Sequence, residues 1–341
     1  MASRREFIRD ALAFLSFVLR PERARGQTTG TAAQAASPPE TRYRFGRMSV
    51  QRFKDLQQDI DELRRAGKLS RNPVYRSYID AKKFEVPKTF PQAKSVLILA
   101  TPTPMARVGF FLDGQRHEIV IPPQYYDDGL TLEAVKASVR QDILGDPGAR
   151  LEDARGLHLK LLAVRSGLGR YGRNNLCFVE GLGTFLTLQA FFTEVPFPAE
   201  EWHPLAMLDA CRECSICYGV CPTNAITRKN FVIDAGRCIT LYNEVEGDFP
   251  NWILPSMHNA LVGCLKCQLP CPENAKHLAA STVVLEDVVE EETQRILEGR
   301  LDDQLLETLS RKLRKFAFAG SREGAPLLAR NLRPLVRPGR S

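Results

Sequence analysis

The run Cys211-Arg-Glu-Cys214-Ser-Ile-Cys217-Tyr-Gly-Val-Cys221-Pro222 has the spacing C-x2-C-x2-C-x3-C-P. This spacing is typical of bacterial proteins that hold two [4Fe-4S] clusters. Three thiolates on one tight loop reach three irons of one cube, while the fourth thiolate ligates the other cube. The run therefore predicts a second set of cysteines that completes both clusters.

A partial second run, Cys264-Leu-Lys-Cys267-Gln-Leu-Pro-Cys271-Pro272, supplies three of these cysteines. When it is aligned with the first run, Leu261 stands where a fourth cysteine is missing, and we expect Cys238 to replace it. The predicted ligands of cluster 1 are Cys211, Cys214, Cys217 and Cys271, and those of cluster 2 are Cys221, Cys238, Cys264 and Cys267.

Two other kinds of site use cysteines in similar patterns. C-x2-C pairs also suit tetrahedral zinc, and an exported protein can pair its cysteines in disulfides. Neither alternative predicts two offset C-x3-C-P endings, so the spacing favours clusters. The ninth cysteine, Cys177, lies outside both runs and is expected to be a buried, inert thiol.

The 341 residues exceed one ordinary domain. The hydrophobic content of 44% and charged content of 26% are ordinary for a soluble globular protein, and no apolar run is long enough to predict an integral membrane segment. The net charge is +7, but residues 1–30 carry +3 and residues 311–341 carry +8, so the remaining residues carry −4. This distribution favours solvated basic tails over a nucleic-acid-binding body.

The N-terminus begins Ser3-Arg4-Arg5-Glu6-Phe7-Ile8-Arg9 and continues into the apolar stretch Ala11–Leu19. It resembles a twin-arginine export signal, the route of proteins that fold around a cofactor before they cross the membrane. We therefore expect a periplasmic or cell-envelope location. The alternative is an amphipathic first helix of a cytoplasmic protein.

Hydrophobic periodicity and turn residues predict an α+β fold. Helices are expected at 50–63 and 130–144, buried strands at 95–100 and 182–193, a hairpin at 107–121 about Asp113-Gly114, and helices within 283–318. The predicted division is a signal and linker (1–42), an α/β domain (43–200), a double-cluster ferredoxin-like module (201–280) and a helical C-terminal region with a basic tail (281–341).

Three glycines upstream of the cysteines, Gly167, Gly169 and Gly172, spell G-x-G-x-x-G. A dinucleotide site with this fingerprint needs a strand before it and an apolar helix starting at the third glycine. The following Arg173-Asn-Asn175 is a poor helix start. A sharp turn, or backbone packed closely against a flat partner, explains the glycines better.

From about Phe90 to Asn331 the sequence resembles the epoxyqueuosine reductase family, relatives of the reductive dehalogenases. The matching stretches are Lys94-Ser95-Val96, the glycine segment from Ala163 to Asn174, the first cysteine run with Thr223, Asp234-x-x-Arg237-Cys238-Ile239, Gly263-Cys264-x-x-Cys267-Gln268 and Cys271-Pro272-x-Asn274. One departure is Arg170, where the family has Trp.

The resemblance implies an N-terminal corrinoid-binding α/β domain to which the two clusters feed electrons. It implies cobalamin, with Gly167, Gly169, Gly172, Arg173 and Asn174 in its pocket. It also implies a carboxylic acid as proton donor fourteen residues before the Gly-x-Gly, which here is Asp153. Burial would raise the pKa of such an acid.

Three functions follow as hypotheses. The first is an iron–sulfur reductase that passes electrons through a corrinoid site to an unidentified small molecule. The second is a two-cluster electron-transfer protein without corrinoid chemistry, which serves a redox partner protein. The third is a tRNA epoxyqueuosine reductase, which requires a cytoplasmic location. All three need a reduced donor of the ferredoxin or flavodoxin type.

Overall fold

A computed structural model describes residues 43–125, 131–198, 202–278, 281–313 and 324–338. The predicted signal and linker lie outside these residues. Within the described ranges, no helix has the length and apolar character needed to cross a membrane.

The fold is α+β, as predicted. The strands are β1 (Arg44–Ser49), β2 (Ser95–Pro102), β3 (Met105–Leu112), β4 (Gln115–Ile121), β5 (Glu152–Asp153), β6 (Arg170–Tyr171), β7 (Cys177–Phe178), β8 (Leu186–Thr193) and β9 (Thr282–Val284). The α-helices are α1 (Phe53–Arg65), α2 (Pro73–Ala81), α3 (Leu132–Ser138), α4 (Leu159–Arg165), α5 (Ile216–Val220), α6 (Ile239–Asn243), α7 (Pro272–Leu278), α8 (Glu290–Leu297), α9 (Asp303–Lys312) and α10 (Ala325–Val336).

The largest sheet has the antiparallel order β1-β2-β8-β5. Its central strand β2 is buried on both faces because alternate side chains enter two different cores. Val96 and Ile98 pack with α1 and α4, while Leu97 and Leu99 pack with α3. The predicted buried strands are thus confirmed as the neighbours β2 and β8. The outer strand β1 is an element that the sequence did not predict.

A second sheet, of order β4-β3-β9, contains the predicted hairpin. Asp113 and Gly114 have positive φ values of 52° and 71°, as a type I′ turn requires. Their amide groups donate hydrogen bonds of 2.9 and 3.3 Å to the carboxylate of Glu290. Residues 282–284 of β9 then pair with β3 in parallel.

Helices α8, α9 and α10 pack against this hairpin in one hydrophobic core, in which Phe110 meets Ile296, Leu309 and Leu332. The hairpin, which the sequence placed in the N-terminal domain, therefore shares its core with the C-terminal region. That region is helical as predicted, but it begins with a strand.

The C-terminal helix α10 also fastens the cysteine-rich module. The side-chain amide of Asn331 donates to the carbonyls of Asn243 and Leu261, at 2.8 and 3.0 Å. Arg330 donates to the carbonyls of Tyr242 and Val245, at 2.8 and 2.7 Å. The module is thereby held between the large sheet and the C-terminal helices.

Candidate iron–sulfur centres and an adjoining cavity

The first cysteine loop is shaped by the proline that ends it. Helix α5 is a single turn, and Pro222 favours an extended conformation at the residue before it. Cys221 has φ −70° and ψ 110°, so the chain leaves the helical turn at this residue. Cys221 is thereby separated from the three cysteines that precede it.

One group of thiols surrounds a small cavity. Its walls include Cys211, Cys214, Cys217 and Cys271, the four predicted ligands of cluster 1. Burial, and less strongly the nearby Cys211, Cys214 and Cys271, raise the pKa of the Cys217 thiol to about 11. The structure thus brings these four cysteines together, although they lie up to 60 residues apart in the sequence.

A second group contains the other four cysteines. Burial raises the pKa of the Cys264 thiol to about 11, and nearby Cys238 and Cys221 contribute. Burial likewise raises the pKa of Cys267, which lies near Cys264, Cys238, Cys217 and Cys221. This grouping has the same members as the predicted cluster 2, and Cys267 lies on the side that faces cluster 1.

The two groups differ in depth. By solvent exposure all eight cysteines are half-buried, but more protein surrounds Cys238, Cys264 and Cys267 than Cys211, Cys217 and Cys271. Beside the shallower group, the apolar side chains of Ile216 and Val220 are 40% and 39% exposed. We call the shallower group the outer site and the deeper group the inner site.

Asn259 supports the inner site. Its side-chain amide donates to the sulfur of Cys264 at 3.0 Å, and its side-chain oxygen accepts from the amide of Leu265 at 2.8 Å. Hydrogen bonds to the ligand sulfurs are one of the factors that set cluster potentials. Asn259 was not predicted from the sequence, where its local signal is a polar residue four positions before Gly263.

The predicted corrinoid-pocket residue Arg173 lies at the outer site. Its side chain is buried, and it donates to the carbonyls of Cys214 and Arg212, at 3.0 and 2.9 Å, and to those of Cys211 and Arg228. A guanidinium carries five N–H donors in a fixed plane. Arg173 therefore fixes the backbone of the first cysteine loop.

Asn174 and Asn175 follow Arg173 at the tip of the short β6-β7 hairpin. Asn174 lines the cavity of the outer site, and its side chain donates to the carbonyl of Cys267 at 3.5 Å. Asn175 donates to the carbonyl of Phe231 at 3.0 Å and accepts from Lys160. This tip thus contacts both cysteine groups and the adjoining cavity.

The three glycines permit close packing rather than dinucleotide binding. Gly167 has φ +78° and follows helix α4, whereas the dinucleotide fingerprint needs a strand there. A Cβ on Gly169 would lie 2.6 Å from the sulfur of Cys177, and one on Gly172 would clash with the ring of Phe178. Both positions therefore require glycine for steric reasons.

A cavity of about 400 Å³ adjoins the inner site. Gln268, next to Cys267, forms part of its wall, as do Lys160 and the buried Cys177. Gln268 accepts from the hydroxyl of Thr184 at 2.9 Å, and Asn274 donates to that hydroxyl at 2.8 Å. This buried network joins the cysteine module to the residues that lead into β8.

None of Gly167, Gly169, Gly172, Arg173 and Asn174 lines this cavity. Arg173 and Asn174 instead donate hydrogen bonds to backbone carbonyls of the cysteine loops. No sequence pattern predicts these contacts. The cavity was not predicted from the sequence. Its signal is Lys160, the one cation within the otherwise apolar stretch Leu159–Val164 of helix α4.

Asp153, the predicted proton donor, also lies away from this cavity. Its carboxylate accepts from the backbone amide of Arg155 at 2.9 Å and forms an ion pair with the Arg155 guanidinium. The residue lies in the short edge strand β5, which pairs with β8.

All nine cysteines are free thiols, so they form no disulfide framework. Cys177 is buried as predicted, and burial raises its pKa to about 12, which keeps the thiol protonated. Among the described residues, no three His, Cys, Asp or Glu side chains are grouped as ligands of a single metal ion.

Residues 210–274 match a family model described as a 4Fe-4S double cluster binding domain. This range contains all eight predicted ligands, and it confirms two clusters in place of the zinc alternative. The assignment of individual cysteines to clusters stays a prediction, although the structure forms the same two groups.

The epoxyqueuosine reductase of Escherichia coli (strain K12) is 36% identical over 114 residues, which are 33% of this chain and 29% of that protein. The chain thus matches less than a third of this relative's length. Over longer ranges the likeness is structural. The epoxyqueuosine reductase from Streptococcus thermophilus superposes with a TM-score of 0.58 and 18% identity, over 86% of this chain and 76% of that one.

An epoxyqueuosine reductase solved with an epoxyqueuosine-modified tRNA-Tyr stem loop superposes with a TM-score of 0.57 and 20% identity, over 86% of this chain and 76% of that one. Identities this low show a common fold. The predicted resemblance is thereby confirmed: the chain contains a double [4Fe-4S] domain and has the same fold as the epoxyqueuosine reductases.

Proposed function

We propose that the protein is an iron–sulfur reductase in which electrons enter at the outer site, pass to the inner site and reach a substrate in the adjoining cavity. The observation that carries this proposal is the position of the cavity. Its wall contains Gln268, the neighbour of Cys267, and Lys160, which lies near Cys238. A ligand in the cavity is therefore next to the deeper cluster.

The electron donor is expected at the outer site. Exposed Ile216 and Val220 lie beside those cysteines, and an exposed apolar patch of this kind suits transient protein docking. A reduced ferredoxin or flavodoxin supplies single electrons of the required kind, so the proposed direction of flow is from the surface to the interior.

Cobalamin does not fit the residues that surround the cavity. A volume of about 400 Å³ is at the low end of the range that holds drug-sized ligands, and a corrinoid with its macrocycle and nucleotide tail is much larger. The five residues predicted to form its pocket lie elsewhere. The proposed reduction therefore includes no corrinoid step.

The first test is anaerobic purification with iron, sulfide and cobalt quantified together. Two [4Fe-4S] clusters give about eight irons per chain, and we expect no cobalt. The reduced protein should then be screened for small molecules that reoxidise it. Four or fewer irons contradict the two-cluster assignment, and one cobalt per chain contradicts the absence of a corrinoid.

The role of Asp153 as proton donor stays a prediction, which Asp153→Asn tests once a substrate is known. General acid catalysis is worth about 10²- to 10⁴-fold, so a loss of this size with unchanged iron content supports the role. A change within about twofold removes it. The ion pair with Arg155 and the position outside the cavity weigh against it.

Two alternatives use the same clusters. An electron-transfer protein would pass electrons to a partner protein, and a ligand in the cavity would not reoxidise its clusters. A tRNA epoxyqueuosine reductase is favoured by the fold that this chain shares with the tRNA-bound reductase. Loss of the queuosine modification after gene deletion would support that function, and unchanged modification would remove it.

The compartment separates these functions. If Arg4 and Arg5 begin an export signal, the folded protein leaves the cytoplasm and tRNA is excluded as substrate. Cell fractionation of the full chain and of a variant with both arginines replaced by lysine tests this. Export that depends on the arginine pair supports a periplasmic reductase, and cytoplasmic retention of both proteins contradicts it.

A further inference from the structure

We propose that the cavity beside the inner site binds a small aromatic anion, whose acidic group contacts the Lys160 ammonium and whose ring packs against the tyrosine and phenylalanine side of the wall. This inference rests on the proposed function, because it names the substrate class of the same site. Its experiment uses oxidised protein, so binding is measured without any electron transfer.

The first argument is the charge of the wall. Lys82 and Lys160 line the cavity, and no Asp or Glu does. Burial, and less strongly nearby Lys82, lower the pKa of His158 to about 4, so this third basic side chain is neutral at pH 7. The side chains of the wall therefore carry positive and no negative charge, and a cleft lined by one sign of charge attracts ligands of the opposite sign.

The second argument is the position of Lys160. Lys160 is an exposed residue on the cavity wall, and the protein around its ammonium lowers the pKa of the side chain. Asn175 accepts from it with the backbone carbonyl at 2.9 Å and with the side-chain oxygen at 2.7 Å. An ammonium has three N–H donors, so one has no acceptor among the described residues.

Asn175 has φ +63°, in the left-handed region that few residues other than glycine adopt. Its side chain is fixed from the other end by the carbonyl of Phe231. Lys160 is therefore held in place before a ligand arrives. Lys82 also has two acceptors, the carbonyls of Arg155 and Leu157 at 3.0 and 3.4 Å. Its ammonium in addition lies 4.9 Å from the centre of the Tyr78 ring, which leaves Lys160 as the anion contact.

The third argument is the shape of the apolar wall. Tyr171 stacks on Phe231 with ring centroids 4.3 Å apart and an interplanar angle of 8°, and both residues line the cavity. Tyr75 and Leu188 contribute further apolar surface. Aromatic and aliphatic walls suit a flat apolar body, and the volume suits one or two fused rings.

The rival role for Lys160 is electrostatic support of the inner cluster, since the residue lies near Cys238. This role predicts that loss of the charge changes the reduction potential of that cluster and leaves ligand preference unchanged. The two roles are therefore separable by measuring affinity and potential on the same variants.

The experiment is calorimetry on the oxidised, cluster-loaded full chain with 2-naphthoate and its neutral counterpart 2-naphthamide. A hydrogen bond to a charged group favours the acid by about tenfold or more. Lys160→Met should remove this preference and Lys160→Arg should retain it. Lys54→Met, at an exposed lysine of α1, is the matched control and should bind both probes like the wild type.

Leu188→Trp fills the cavity and should abolish binding of both probes, provided that iron content stays at the wild-type value. Equal affinity for acid and amide overturns the proposal. So does a preference that survives Lys160→Met, whether or not the cluster potential shifts. If the protein reduces a substrate but binds the acid and the amide equally well, only the proposed ligand class is wrong. If it prefers the acid but no ligand reoxidises its clusters, only the proposed reduction is wrong.

Discussion

Arg173 and Lys160 are both cations near the cysteine module, but they have different roles because their surroundings differ. Arg173 is saturated by backbone carbonyls of the first cysteine loop, whereas Lys160 has a single polar partner residue and faces a cavity. The planar guanidinium suits several fixed acceptors, and the compact ammonium suits a single anion. Each side chain thus matches its position.

Arg173→Leu should release the outer cluster. The substitution leaves several carbonyls of the cysteine loop without donors, at a cost of about 3 kcal/mol or more. We expect iron to fall from about eight to about four per chain, with loss of one of the two cluster signals in paramagnetic resonance.

The matched control for this variant is Arg170→Leu. Arg170 lies in the same segment, but its side chain is exposed and its one ion pair within the described part of the chain is with exposed Asp209, so iron content should stay unchanged. A full iron complement in Arg173→Leu would contradict the structural role of Arg173.

At the scale of elements, the hairpins show which local patterns determine their own structure. The β3-β4 turn follows from Asp113-Gly114 because two adjacent residues with positive φ specify it. The β6-β7 tip does not follow from its sequence, because its three polar residues take their roles from partners 40 to 100 residues away. Sequence therefore predicted the first hairpin but not the contacts of the second.

Gly114→Ala should destabilise the protein by about 1 kcal/mol, because alanine is strained at positive φ. Gly156→Ala is the control. That glycine has no positive φ, and a Cβ there meets no atom within 4 Å, so the free energy of unfolding should change little. Anaerobic denaturant unfolding followed by circular dichroism measures both, and equal effects would contradict the type I′ turn.

The difference between local patterns and contacts of distant residues also explains how much of the site could be predicted from the sequence. The cysteine spacing predicted both groups because ligand spacing is set by the size of a cube. The absence of a cysteine at Leu261 led to Cys238, which the structure places near Cys264. Asn259, Lys160 and the cavity were missed because their roles depend on contacts between distant elements.

At the scale of the whole molecule, the two cysteine groups form a path from surface to interior. The outer site adjoins exposed Ile216 and Val220, while the inner site lies between the module, helix α4 and the cavity. Burial and exposure to solvent are among the factors that tune cluster potentials. The two clusters should therefore differ in chemical accessibility as well as in potential.

An iron chelator should remove the clusters in two phases of equal amplitude. The outer cluster is expected to leave first because its cysteines have less protein around them. Iron release followed by absorbance, with resonance spectra at the midpoint, measures this. A single phase would show that depth does not separate the two sites.

Glu244 makes stability depend on pH. Burial raises its pKa from 4.5 to about 7, and Tyr125 donates a hydrogen bond to it. Between these pH values the unfolded carboxyl ionises while the folded one stays protonated, so the contribution of Glu244 to stability falls as pH rises from about 4.5 to 7. Above that range the loss is complete.

Glu244→Gln should therefore become more stable than the wild type with rising pH, by about 2.5 kcal/mol at pH 8 relative to pH 5. The neutral histidines contribute equally to both proteins and cancel in this difference. Glu62→Gln, at an exposed carboxyl of α1, is the control and should show a flat difference. Anaerobic unfolding across this pH range tests the prediction, and a flat curve for Glu244→Gln contradicts it.

The parallel pairing of β9 with β3 also sets an order of assembly. Residues 282–284 complete a sheet whose hairpin ends at Ile121, so the whole cysteine module is made between the two. Translation proceeds at about 5–20 residues per second, so β9 is synthesised roughly 8–30 s after the hairpin with which it pairs. During that interval the cysteine loops have emerged and α10 has not, which leaves time for cluster delivery before the C-terminal helices close over the module.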